Sequence, residues 1–112
     1  MRIAIPTADG RLCPHFGHCE KFALVDVDEE SKKILGTEMA EPPGHEPGVL
    51  PKWLNEQNVK IIIAGGMGQR AQQFFTGFGI SVIVGVQGGS PEEIAQAYLQ
   101  EELAPGANLC DH

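Results

Sequence analysis

Val59-Lys60-Ile61-Ile62-Ile63-Ala64-Gly65-Gly66-Met67-Gly68 decides the fold class of this chain. The run from Val59 to Ala64 is apolar except for Lys60, the pattern of a strand buried on both faces. Three glycines in four positions then turn the chain into a helix that carries Ala71, Phe74 and Phe75 on one face and ends at Gly77 and Gly79. Ile80 to Val84 is a second strand, apolar except for Ser81. Strand, helix and strand in this order predict a parallel pair joined by a right-handed crossover.

Downstream, Ser90-Pro91-Glu92-Glu93 combines an N-cap, proline at the first helical position and glutamate at the third, which predicts a capping box. Ile94, Ala95, Tyr98 and Leu99 line the buried side of that helix, and Ala104 to His112 forms a tail. Upstream, Val49, Leu50, Trp53 and Leu54 fall at helical spacing, so a helix is expected over 48–57 with Pro51 in its first turn. The proline- and glycine-rich run Glu41 to Gly48 forbids regular structure. Before it come three short strands, Arg2 to Ile5 (stopped by Pro6), Phe22 to Val27 and Lys33 to Met39, an antiparallel meander turned at Asp28-Glu29-Glu30-Ser31. Residues 7–20 are loop-like. The order β-β-β-α-β-α-β-α predicts one α/β domain: a three-layer α/β/α arrangement around a five-stranded mixed sheet.

The 112 residues fit one domain, and 42% hydrophobic with 21% charged residues is ordinary globular composition. No apolar run approaches the roughly 20 residues of a membrane span, and Met1 to Pro6 is too short for a signal peptide, so a cytoplasmic location is expected. Lys and Arg number 8 against 15 Asp and Glu, a net charge of −7, and no base follows Arg70. Such a surface repels phosphate backbones and anionic lipid, so neither nucleic acid nor membrane is an expected partner.

Cys13, Cys19 and Cys110 are an odd set with no secretory signal, which does not read as a disulfide framework. Instead, Cys13-Pro14-His15-Phe16-Gly17-His18-Cys19 holds four soft or borderline metal ligands within seven residues, and Cys110-Asp111-His112 supplies two more. Thiolate with imidazole suits zinc, copper(I), iron and iron–sulfur clusters. The competing reading buries Cys13 and Cys19 as small apolar residues and leaves the histidines in solvent. The expected topology carries the 7–20 loop, the loop with His45, Gly65–Gly68 and Gly85–Ser90 to one end of the sheet, where open α/β sheets bind ligands. The nine-residue tail can span about 30 Å, longer than a five-residue strand of about 17 Å. Cys110 and His112 can therefore return to that end in the same chain, or serve a neighbouring subunit in a homodimer.

Gly66-x-Gly68-x-x-Ala71 matches a dinucleotide fingerprint on paper, but it is not in the first βα unit, and no acid ends the following strand at Val84-Gly85-Val86. A tight turn for close packing and an anion site both remain open. A two-metal hydrolase would need carboxylates on the central strands, and Arg2-Ile3-Ala4-Ile5, 59–64 and 80–84 carry none. No Ser–His–Asp arrangement is present to defend.

Met1 to Pro6, His15-Phe16-Gly17 followed by Phe22, the Pro/Gly/His loop, Ile62 to Gly68 and the helix from Glu93 to Leu99 together resemble the dinitrogenase iron–molybdenum cofactor biosynthesis family. This is the NifX type, also found as the carboxyl-terminal domain of NifB. The likeness covers residues 1–103, leaving 104–112 as a tail. It implies a ribonuclease H-like fold without the acidic site, and a carrier or scaffold for metal–sulfur clusters or their precursors, not an enzyme. His15, Phe16 and Gly17 match the family element, and Gly65, Gly66 and Gly68 match its loop. Where many members carry Arg and Ala after that first glycine, this chain has His18 and Cys19, and Cys13 and the Cys110-Asp111-His112 ending are likewise not general.

The resulting expectation is direct ligation by Cys13, Cys19 and Cys110, with His15, His18 and His112 as ligands or supporting donors. Phe16, Gly17, Gly65, Gly66 and Gly68 would line the pocket. The cargo would be an iron–sulfur or other metal–sulfur cluster, of iron or with molybdenum, or else zinc, and the partners cluster-assembly proteins. Two other readings compete: a regulatory module for a cluster-maturation ATPase, and a thiol-redox protein.

Overall fold

A computed structural model describes residues 1–13, 19–43 and 48–101. The elements are β1 (Arg2–Ala8), β2 (Arg11–Leu12), β3 (Lys21–Asp28), β4 (Lys33–Ala40), α1 (Val49–Glu56), β5 (Val59–Ile63), α2 (Gln69–Gly77), β6 (Ser81–Ile83) and α3 (Pro91–Leu99). The sheet runs β4-β3-β1-β5-β6, with β2 paired to β1 beside that path. β1 is antiparallel to β3 and β3 to β4, while β5 is parallel to both β1 and β6. The expected mixed sheet and parallel α/β half are therefore present, with a sixth, two-residue strand that the sequence pattern did not reveal.

Period-two alternation sorts the side chains between two cores. On one face Ala4, Phe22, Leu24 and Ile62 pack with Leu50, Leu54 and Phe75 from α1 and α2. On the other, Ile3, Ile5, Val25, Ile61 and Ile63 pack with Ile94, Ala95 and Leu99 from α3. The three-layer expectation holds. Trp53 of α1 is only partly buried and meets Phe22 edge-on, with ring centroids 5.7 Å apart.

Several boundaries differ from expectation, each for a physical reason. β1 does not stop at Pro6: it continues to Ala8, and Pro6 lies opposite Phe22 in the ladder. The pairing of β1 with β5 covers only Arg2, Ile3 and Ala4, so the N–H that proline lacks falls where no β5 partner awaits it. Asp9 and Gly10 then adopt left-handed φ values of 55° and 76°, turning the chain back into β2. β6 is shorter than the apolar run that contains it. On α2 only Phe75 is fully buried, while Ala71 and Phe74 sit at the margin. The α3 capping box forms as expected, Ser90 Oγ accepting from Glu93 N at 3.2 Å and Glu93 Oε1 accepting from Ser90 N at 3.0 Å. Residues 104–112 lie outside the described residues.

Candidate metal centre

The ends of β1, β5 and β6 share one edge of the sheet, because the three strands are mutually parallel. Backbone hydrogen bonds stitch the loops together there. Cys13 N donates to Pro6 O at 2.9 Å, and Glu20 N donates to Thr7 O at 2.8 Å. Leu12 N reaches Gly89 O at 3.0 Å, and Gly85 N reaches Gly65 O at 2.6 Å. A strand has two edges, and Thr7 pairs with Lys21 of β3 and with Leu12 of β2. β2 and Cys13 therefore lie on the β5 side of β1, whereas Cys19 enters from the β3 side. Cys13 and Cys19 flank the end of β1.

Both thiols face the α1/α2 layer and belong to its core cluster, Cys13 at 2% exposure and Cys19 at 5%. Burial pushes the Cys19 thiol up from its ordinary value near 9 to about 11. The neighbouring Cys13 adds to that rise, and a backbone hydrogen bond opposes it. The two sulfurs are thus close enough to sense each other's charge, and Cys19 is a neutral thiol at pH 7 until something displaces its proton.

The glycine loop follows the end of β5 at the same edge of the sheet. Gly65 and Gly66 are buried and Gly68 half-buried. The short bond from Gly85 to Gly65 brings two backbones close, which favours the packing reading of these glycines over a dinucleotide site. Gly68 is the N-cap of α2 in an extended conformation with no side-chain cap, and α2 has no acid in its first turn. Between the glycines lies Met67, fully buried in the same cluster as Cys13 and Cys19.

Of the expected ligands, Cys13 and Cys19 flank the end of β1 and share one core cluster, and Gly65, Gly66 and Gly68 follow the end of β5 at the same edge of the sheet. His15, Phe16, Gly17, His18, His45, Cys110 and His112 lie outside the described residues. Among the described residues no three Cys, His, Asp or Glu side chains are grouped to hold a metal ion. Asp26 is engaged by Arg2, Nε to Oδ1 at 2.9 Å, and Asp28 accepts from Ser31 Oγ at 2.9 Å. Both carboxylates stand near the opposite end of β3, so neither serves a two-metal hydrolase at the loop edge. Among the described residues no helix is long and apolar enough to cross a membrane.

Residues 1–101 match the dinitrogenase iron-molybdenum cofactor family. The chain belongs to that family. It is 35% identical over 85 residues to the uncharacterized protein MJ0580 of Methanocaldococcus jannaschii, covering 73% of this chain and 72% of that one. The crystal structure of PH0822 superposes with a TM-score of 0.84 at 32% identity, over 94% of this chain and 96% of the other. The apo form of the orange protein from Desulfovibrio gigas shares the fold, with a TM-score of 0.72 at 23% identity over 96% and 93% of the two chains. A family defined by the iron–molybdenum cofactor supports a role related to its biosynthesis.

Proposed function

We propose that this member of the dinitrogenase iron-molybdenum cofactor family is a non-catalytic carrier that holds a metal ion, a metal–sulfur cluster or a cluster precursor through Cys13 and Cys19. The observation that carries this reading is the pair of buried thiols set on either side of β1 at the loop edge of the sheet. Two apolar core residues could fill the same volume without thiol chemistry. A carrier, in contrast, needs soft donors, and thiolate is the donor that suits zinc and iron–sulfur clusters. His15, His18, Cys110 and His112 would complete the ligand set, and Phe16, Gly17 and the Gly65–Gly68 turn would close the pocket. Amides of that turn would donate to sulfide or to an anionic edge of the cargo.

The cargo would be iron with sulfide, with molybdenum in the cofactor-related form, or zinc. Loading exchanges thiol protons for metal and so discharges protons to solvent. Delivery would be to cluster-assembly proteins in the cytoplasm. Anaerobic reconstitution with ferrous iron and sulfide, followed by visible absorption and metal and sulfide analysis, tests the reading. Wild-type chain should take up metal in a fixed ratio, and Cys13→Ser and Cys19→Ser should each lower it. A colourless, metal-free wild type that also refuses zinc would instead favour a regulatory module that docks on an assembly partner.

A further inference from the structure

We propose that the open edge of β6, with the adjoining flank of α2, is a self-association surface on which a second copy of this chain pairs its own β6 about a twofold axis. From Ala71 to Pro91 the chain carries no Asp, Glu, Lys, Arg or His, although 21% of its residues are charged and its net charge is −7. That stretch holds most of α2, all of β6 and the turn to α3. β6 ends the sheet, and among the described residues no strand lies beyond it. Ile83 pairs in parallel with Ile63, and its carbonyl accepts from Ala64 N at 2.8 Å. Ser81 and Ile83 thus bond to β5, and by the alternation of a parallel ladder Val82 turns its N–H and its carbonyl to the open edge. The opposite edge differs. β4 is bulged opposite Asp26 and Val27 and carries Lys33 and Glu38, devices that block strand addition. β6 carries neither charge nor proline and pairs in unbroken register.

The flank of α2 continues this strip. α2 packs on β6, whereas α1 packs on β5. Phe75 points into the core, and Phe74 lies on the side of α1, where a Cβ at Gly48 would stand 3.9 Å from its ring. Helical spacing then puts Gln69, Gln72 and Thr76 on the flank turned away from α1, over the open edge. With Gln73 and Gly77 they line a depression of about 530 Å³. A twofold axis at Val82 fits this surface to a copy of itself. Val82 N–H donates to the carbonyl of Val82 in the second copy, and the reverse bond forms too. Ser81 of each copy stands opposite Ile83 of the other, and the two α2 helices lie side by side, antiparallel, on one face. Two chains of net charge −7 repel each other elsewhere, and this strip lets them meet with no charged side chain opposed to another. A basic partner of another kind would be drawn to the acidic faces instead. The pairing sends the two loop edges to opposite ends of the joined sheet, so neither is covered.

Sedimentation velocity of the metal-free full chain from roughly 5 µM to 1 mM reads the association, because an interface smaller than about 1,200 Å² is weak. Wild type should pass from monomer to dimer within that range. Ser81→Lys sets a charge on an exposed side chain opposite Ile83 of the second copy, and should weaken the dimer at least tenfold. Val82→Pro removes an N–H that bonds nothing within the chain and should do the same, with circular dichroism establishing that both variants are folded. In a mixture of isotope-labelled and unlabelled wild type, a nuclear Overhauser effect should join the α protons of Ser81 and Ile83 in different copies, a readout that does not depend on how any variant folds. A wild type that stays monomeric at about 1 mM overturns the inference. So does undiminished association of the folded Ser81→Lys variant, or a set of inter-copy contacts that maps to another face.

Discussion

At the scale of single residues, the chemistry turns on whether a thiol keeps its proton. Cys19 keeps its proton up to about pH 11 in the folded chain, whereas an unfolded thiol ionises near 9. Between those values the folded state binds more protons than the unfolded one, so stability falls as pH rises. The full contribution is present below pH 9, and on the order of 2–3 kcal/mol is lost by pH 11. Urea unfolding of metal-free protein at pH 7.5 and pH 11 should show this loss in wild type and a smaller loss in Cys19→Ser. The Tyr98 hydroxyl, also raised by burial, titrates in both proteins and cancels in the comparison. The same proton makes loading pH-dependent: metal affinity should rise with pH between 6 and 8, because the ion competes with fewer protons. A flat profile would mean that Cys19 is not a ligand.

At the scale of elements, the layers predict which changes spare the site. Ser90 caps α3, which packs on the sheet face opposite the thiols. Ser90→Ala should cost about 1 kcal/mol in thermal or urea unfolding and leave metal uptake unchanged. Gly89 behaves differently. Its φ of 118° is open only to glycine, and its carbonyl accepts from Leu12 N beside Cys13, while an added Cβ would meet Ile94 at an ordinary contact distance of 3.5 Å, so the strain is in the backbone. Gly89→Ala should therefore lower stability by about 1–3 kcal/mol and also weaken loading, by shifting β2. Most elements were legible in the sequence, because β5 and the α3 capping box carry strong local signals. The end of β1 was not. Proline ordinarily breaks a strand, and only the register with β5, a contact between residues far apart in the chain, shows why Pro6 is tolerated. β2 was hidden for a different reason: two residues carry no periodicity.

At the scale of the whole molecule, two cores sandwich one sheet, and the proposed site lies at the edge where its loops meet. The packing of Ile62 against α1 and α2 lies directly beneath that edge. Ile62→Ala should cost about 2–5 kcal/mol by urea unfolding. The sequence announced the thiol pair and its end of the sheet, because cysteine is rare and strand order sets which loops converge. It could not announce that Met67 is buried, since one methionine in a glycine turn carries no periodicity. The most direct measurement is the metal-to-protein ratio that survives passage over a chelating resin, for anaerobically loaded wild type and for the Cys13→Ser, Cys19→Ser double variant, with circular dichroism to establish that both are folded. Wild type should retain its metal and the folded double variant should retain almost none. Equal retention by the two proteins would contradict the carrier reading.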